Sequence, residues 1–310
     1  MRSGVRMLGA GLVIGLAVAS APAQQAPKAG VADKPFVPLN LSLQPSEPES
    51  VYAPPSPPRP EEGINEGAVH FDLGVGYYTR YIYRGIQVFD PIRASDNVNI
   101  QINSKLSWDL GKLPHPFIGV FVNYADSDPV SSFQEVRPTV GAEWTIRPLV
   151  LSGGLTTYLY PDRKDFQTSE VWGKLQLDDS YFLRSDQPLL SPYVMAAYDI
   201  DLYDGWYFEA GVSHDFVIED TGLTIKAQAC VAYISQFQLY ETAPLQKDVT
   251  GFQHYQLGVI GNYSLNTLLN FPPRYGEWSL QGYFYYTDGL NHKLRSSTET
   301  WGGAGIMFKY

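Results

Sequence analysis

A closed antiparallel β-barrel set in a lipid bilayer is the fold this sequence predicts. It is an all-β, up-and-down arrangement of about twelve strands, with ten as the alternative count. Three observations predict it. Apolar and polar residues alternate with a period of two along most of the chain beyond residue 69, so each strand has one greasy and one wet face. The alternating segments are roughly ten to fourteen residues long, which suits a tilted transmembrane strand better than an ordinary globular one. Aromatic residues gather near the ends of the apolar faces, where the two interfaces of a bilayer would lie.

The clearest element is "NVNIQINSKLSWDL", Asn97 to Leu110. One face carries Val98, Ile100, Ile102, Leu106, Trp108 and Leu110, broken only by Ser104. The other carries Asn97, Asn99, Gln101, Asn103, Lys105, Ser107 and Asp109. No helical period produces that pattern. The strand before it is expected over 69–84, with Val69, Phe71, Leu73, Val75 and Tyr77 opposite His70, Asp72, Gly74, Gly76 and Tyr78. The same parity predicts strands over 117–125, 134–147, 149–160, 168–177, 192–201, 205–218, 222–234, 252–264, 276–287 and 298–310.

Which face is buried decides the class. A soluble sandwich or lipocalin-like barrel hides the apolar face, whereas a transmembrane barrel turns it to lipid. The aromatics Tyr77, Tyr81, Trp108, Trp144, Tyr263, Trp278, Tyr286 and Tyr310 fit interfacial girdles. A content of 17% charged and 14% aromatic residues is lean in charge without being hydrophobic overall, as when half of each strand is wet. With both termini on the periplasmic side, "GIQVFDPIRASD", "SQFQLYETAPLQKDVT" and "TDGLNHKLRSS" become long outer loops, and the Arg147–Pro148 turn and "IEDTG" short inner ones. The segment 178–191 is long for an inner turn, which is the source of the ten-strand alternative.

Ahead of the barrel, assigned to 67–310, the sequence changes character. Arg2 and Arg6, the apolar run "MLGAGLVIGLAVAS" and "APA" predict a secretory signal peptide over 1–23. Residues 24–66 hold ten prolines and no lasting apolar period, which predicts a disordered periplasmic leader. Loss of the two arginines would take the net charge from −10 to about −12. Such a chain lacks the clustered cations that nucleic acid requires. The single cysteine, Cys230, excludes an intramolecular disulfide.

The chain stops within an alternating strand, "GGAGIMFKY". Pairing the last strand with the first removes both sheet edges, so an aromatic end is expected. Gly305, Phe308 and Tyr310 resemble the C-terminal assembly signal of bacterial outer-membrane proteins, which implies the barrel-assembly machinery and outer-membrane lipid as partners. Gly303 departs from that signal, where a polar residue is usual. A second resemblance lies in "YYTRYIYRGIQ", which is similar to the first-strand motif of the TorF-type porin family at Tyr81, Tyr83, Arg84, Gly85, Ile86 and Gln87. It implies a bacterial outer-membrane barrel with pore function and supplies no ligand residues.

Enzyme chemistry finds little footing. Five histidines are scattered singly, without metal-ligand spacing, so no metal and no cofactor is expected. "GVSHDF" holds Ser213, His214 and Asp215, but neighbours in a strand point to opposite faces, so they cannot form a triad with one another. The sequence therefore predicts a monomeric, non-enzymatic porin-like channel for passive diffusion of small hydrophilic solutes or ions. Its lumen would be lined by Asp72, Arg80, Arg84, Lys105, Glu135, Arg137, Glu143, Arg147, Lys174, Glu209 and Lys226, a lining of both signs that orients solutes. The alternatives are a non-conducting envelope scaffold whose leader binds partners and an outer-membrane phospholipase-type hydrolase.

Overall fold

The computed structural model describes residues 69–89, 97–127, 131–161, 164–185, 187–237, 239, 249–272 and 275–310. The expected signal peptide (1–23) and leader (24–66) lie outside them.

The alternating segments form the wall of a barrel. In chain order its strands are β1 (Val69–Tyr78), β4 (Asn97–Trp108), β5 (His115–Ser127), β6 (Ser131–Ile146), β7 (Leu149–Tyr158), β8 (Thr168–Leu177), β9 (Tyr193–Asp199), β10 (Trp206–Ile218), β11 (Leu223–Ser235), β12 (Thr250–Ser264), β13 (Glu277–Gly289) and β14 (Glu299–Lys309). Each pairs antiparallel with its chain neighbour, except that β1 bypasses a short hairpin to reach β4, and β14 returns to β1. The result is a closed twelve-stranded barrel. Closure runs from Asp72 opposite Lys309 to Tyr78 opposite Gly303, and beyond β14 the Tyr310 amide donates to the Phe71 carbonyl at 2.8 Å while the Phe71 amide donates back at 2.9 Å. Every wall strand has a partner on both sides, the condition for sheet structure in hydrocarbon.

The barrel's polarity is inverted relative to a water-soluble protein. Val75, Val171, Leu257, Val259, Leu280 and Phe284 stand exposed on the outside, while Gln101, Lys105, Asn123, Glu135, Lys226 and Gln281 are buried inside. A water-soluble fold would lose heavily on both counts: apolar area left wet and charges desolvated. Lipid against the outer face removes the first cost. The protein is therefore a transmembrane β-barrel. Aromatics band the outer end across four strands, from Tyr198–Trp206 (4.8 Å between ring centroids) through Trp206–Phe208 (5.5 Å) and Phe208–Tyr233 (6.3 Å) to Tyr233–Phe252 (5.3 Å). At the periplasmic end Phe308 packs against Trp278 (4.6 Å) and Phe71 (6.2 Å).

Three features depart from the sequence reading. The expected strand 69–84 ends at Tyr78, and the chain then folds inward as β2 (Tyr81–Tyr83) and β3 (Ile86–Phe89), a separate two-stranded sheet. Tyr81 is consequently no girdle residue: it is fully buried inside the barrel. The described residues of the long inner segment 178–192 form no extra strand. It contains the short helix α1 (Ser180–Leu183), and the Asp179 carboxylate ties the segment's far end by accepting from the amides of Leu189 (2.8 Å) and Leu190 (2.7 Å). A second short helix, α2 (Leu265–Leu269), occupies the turn before β13, its first turn capped by the Ser264 hydroxyl accepting from the Thr267 amide.

Deleting Tyr310 removes both closing hydrogen bonds and an interfacial ring. At about 0.5–1.5 kcal/mol each for the hydrogen bonds, the truncated chain is expected to refold into vesicles with a lower yield of the heat-modifiable folded band. An unchanged yield would show that closure does not depend on this last pair.

Candidate functional site

The inward hairpin organises the interior. Its two-residue turn, Arg84–Gly85, has positive φ at both positions (47° and 70°), as the tight hairpin turns that match strand twist require. Glycine adopts that conformation freely; an arginine does so at some cost. Arg84 is held there by its side chain. The guanidinium, 1% exposed, grips the Glu170 carboxylate of β8 through two 2.7 Å hydrogen bonds and lies over the Tyr207 ring of β10 at 4.1 Å. A paired fork of this kind is the strong form of ion pair, and inside a desolvated lumen each partner depends on the other.

A second charged cluster holds the other side. Tyr81 donates to the Glu135 carboxylate of β6 (2.6 Å) and accepts from Arg137, while Arg137 also bridges Glu135 (2.6 Å) and lies over Phe121 at 4.0 Å. The Tyr83 hydroxyl meets that of Tyr158 at 2.6 Å. Among the described residues, three hydrogen bonds tie the hairpin backbone to its surroundings: Gly85 accepts from the Ser297 amide (2.8 Å), the Gln87 amide donates to the Ser297 hydroxyl (3.2 Å), and the Gln253 side chain donates to the Arg84 carbonyl (3.1 Å). The hairpin makes no ladder with the wall.

Toward the periplasmic end the lumen carries an alternating arc of charge. Asp72 on β1, Lys105 on β4, Glu143 on β6 and Lys174 on β8 interact in that order. Lys174 lies over Tyr193 (4.2 Å), whose hydroxyl donates to Glu209 of β10 (2.6 Å). Lys226 of β11 stands in register with Asp215 of β10. All these named lining residues except Asp215 and Tyr193 are nine-tenths or more buried, so side chains and hairpin fill this conformation of the lumen.

The sequence-derived lining residues thus divide. Asp72, Lys105, Glu135, Arg137, Glu143, Lys174, Glu209 and Lys226 lie on inward faces of wall strands. Arg84 is inside but on the hairpin turn, not on a wall strand. Arg80 sits in the bend after β1 at the outer rim, bridged to Glu299 and partly exposed. Arg147 is a correction: it is exposed in the tight turn between β6 and β7, outside the lumen, because the strand ends one residue before it. Glu170, the hairpin's principal anchor, escaped the sequence reading. Its only signal was its place on the inward parity of β8.

Above the hairpin, at the outer mouth, lies a cavity of about 280 Å³ lined by hairpin residues Tyr83, Arg84, Ile86, Gln87 and Val88, by the ends of β7 and β8 and by outer-loop residues including Phe166, Tyr203, Phe237 and Arg295. Burial lifts the Tyr160 hydroxyl well above the usual phenol range, and Glu135 adds to the shift. Burial and then Asp199 raise Tyr203 as well. Both therefore stay neutral hydrogen-bond donors at any physiological pH. Within β10, Ser213 is buried in the lumen while His214 packs edge-on against Phe216 at 4.4 Å, so these neighbours do not assemble as a triad.

No family model matches the chain, and no curated protein matches it. Solved structures similar to it include the NanC porin, at 13% identity and a TM-score of 0.46 over 77% of this chain and 100% of that one. LpxR from Salmonella typhimurium is 11% identical, with a TM-score of 0.42 over 77% and 99% of the two chains. A loop L8 deletion mutant of OmpT, an outer membrane protein of Vibrio cholerae, is 8% identical, with a TM-score of 0.34 over 78% and 98%. At such distances none of their activities transfers to this chain.

Proposed function

We propose that the protein is a gated outer-membrane channel for small hydrophilic solutes, with the inward hairpin β2–β3 as its gate. The observation that carries this reading is the manner of the hairpin's attachment. It stands inside the barrel on an ion pair, a tyrosine–carboxylate cluster and a few hydrogen bonds, with no ladder to the wall. Side-chain contacts of that kind exchange as a set between two arrangements, as a gate requires. The charged arc beneath supports a hydrated path: a barrel that only needed a core would be at least as stable with apolar side chains there. The residues that resemble the TorF-type motif, Tyr81, Tyr83, Arg84, Gly85, Ile86 and Gln87, are those of the gate itself, so membership of that family belongs to the same proposal.

The direct test is planar-bilayer recording of the refolded full chain. Brief, infrequent openings are expected. Silence from the native chain and from gate-released variants alike would reject the channel and leave the non-conducting scaffold. Gly85→Ala is one such variant. A Cβ there would overlap the His254 ring, and alanine resists the positive φ of the turn. The hairpin tip is expected to lift and open probability to rise severalfold, with the barrel still folded. Unchanged gating would show that the tip is not the moving part.

A further inference from the structure

The outer-mouth cavity has a chemistry that selects its occupant, and we infer that it is a capture site for a neutral, polyhydroxylated ring, a single sugar residue or the end of a short saccharide. The inference names the solute of the proposed channel and rests on that reading for its setting.

The cavity's walls are aromatic. Phe166, Tyr203 and Phe237 stand around it with Tyr158 and Tyr160, and the Tyr203 and Phe237 rings lie 5.9 Å apart, inclined at 45°. Such faces take the C–H face of a sugar ring or an aromatic ring equally well.

Its floor is polar but electrically closed. Glu170 is taken by the Arg84 fork. Asp199 accepts the Thr168 hydroxyl (2.7 Å) on one oxygen and the amides of Asp201 (3.2 Å), Leu202 (3.0 Å) and Tyr203 (2.9 Å) on the other. With Arg295 also in the lining, the cavity's two cations, Arg84 and Arg295, offset its two carboxylates, Glu170 and Asp199, and this balance gives neither anions nor cations a strong preference. A wholly apolar ligand would strip water from the lining's accessible polar groups, Gln87, Tyr160, Tyr203 and Arg295, without replacing its hydrogen bonds. A ring with an apolar face and hydroxyl edges satisfies walls and floor together. The volume of about 280 Å³ lies at the small end of ligand sites, which limits the occupant to about one ring.

Binding to the refolded full chain in an amine-oxide detergent, which has no sugar headgroup to compete, tests this by titration calorimetry. Maltose serves as the neutral probe and glucuronate as a charged one. Saturable binding of maltose, weaker or absent binding of glucuronate, and a loss of about tenfold in Phe166→Ala are expected. Phe166 is half-exposed at the end of a single 3-10 turn, Lys164–Phe166, between wall strands, so this variant folds. Tyr203→Ala supplies an independent second wall. No saturable binding of maltose, equal binding by both variants, or a preference for glucuronate would overturn the site. The channel stands or falls separately: conductance without maltose binding overturns only the capture site, and maltose binding without conductance upholds the site while rejecting the channel.

Discussion

Replacing Glu170 with alanine is expected to open the barrel. Arg84 would then lose its carboxylate partner while still desolvated beneath the outer mouth, a change that costs about 3–5 kcal/mol for a buried pair. That cost disappears when the hairpin swings out and the guanidinium reaches water. The ratio of inserted to released hairpin should therefore fall by more than about a hundredfold, and bilayer recordings should show long, large openings where the native chain shows brief ones. The companion variant decides the mechanism. In Arg84→Ala/Glu170→Ala no desolvated guanidinium remains at the turn, while Tyr81, Tyr83 and Ile86 keep their buried contacts, so the double variant should be closed for more of the time than Glu170→Ala alone. If the two variants gate alike, or if Glu170→Ala is indistinguishable from the native chain, the ion pair is not the latch.

The second large effect concerns the outer wall. Leu257, at the middle of β12, is 48% exposed and faces lipid. Leu257→Lys should cost about 2–4 kcal/mol of barrel stability in a bilayer, the penalty for a cation near the midplane. Urea titration of protein folded into vesicles reads this as a lowered midpoint. Leu257→Ala should lose far less, because it removes contact without burying charge. A lysine variant as stable as the alanine one would mean that water, not hydrocarbon, wets that face.

Much of the wall was legible in the sequence because strand geometry is strictly periodic. Once Val75 and Tyr77 are set facing out, parity sends Asp72, Gly74 and Tyr78 inward, and the same step places Lys105, Glu143 and Lys226 in the lumen. No long-range knowledge is needed for that inference. The hairpin was not legible for the converse reason. In "YYTRYIYRGI" Tyr77, Tyr81 and Tyr83 keep one parity and Arg80 and Arg84 the other, interrupted only at Thr79 and Ile82, so parity alone extends the first strand to residue 84. What turns the chain inward is a partner 86 residues further on, Glu170, together with Glu135 on another strand. The turn's own signal was muted as well, since Arg stands where Asn or Asp usually precedes the glycine. Arg147 failed at a boundary: parity cannot tell the last residue of a strand from the first of a turn.

By itself, then, the amino-acid order determined a membrane barrel of about twelve strands, with a lipid-facing side and a charged interior, because each of those follows from a two-residue period and from which solvent tolerates each face. Only the tertiary structure decided that the interior is filled, by which segment, and on which ion pair it hangs. Those outcomes depend on side chains far apart in the chain meeting in a space of limited width, and no local pattern encodes such a meeting.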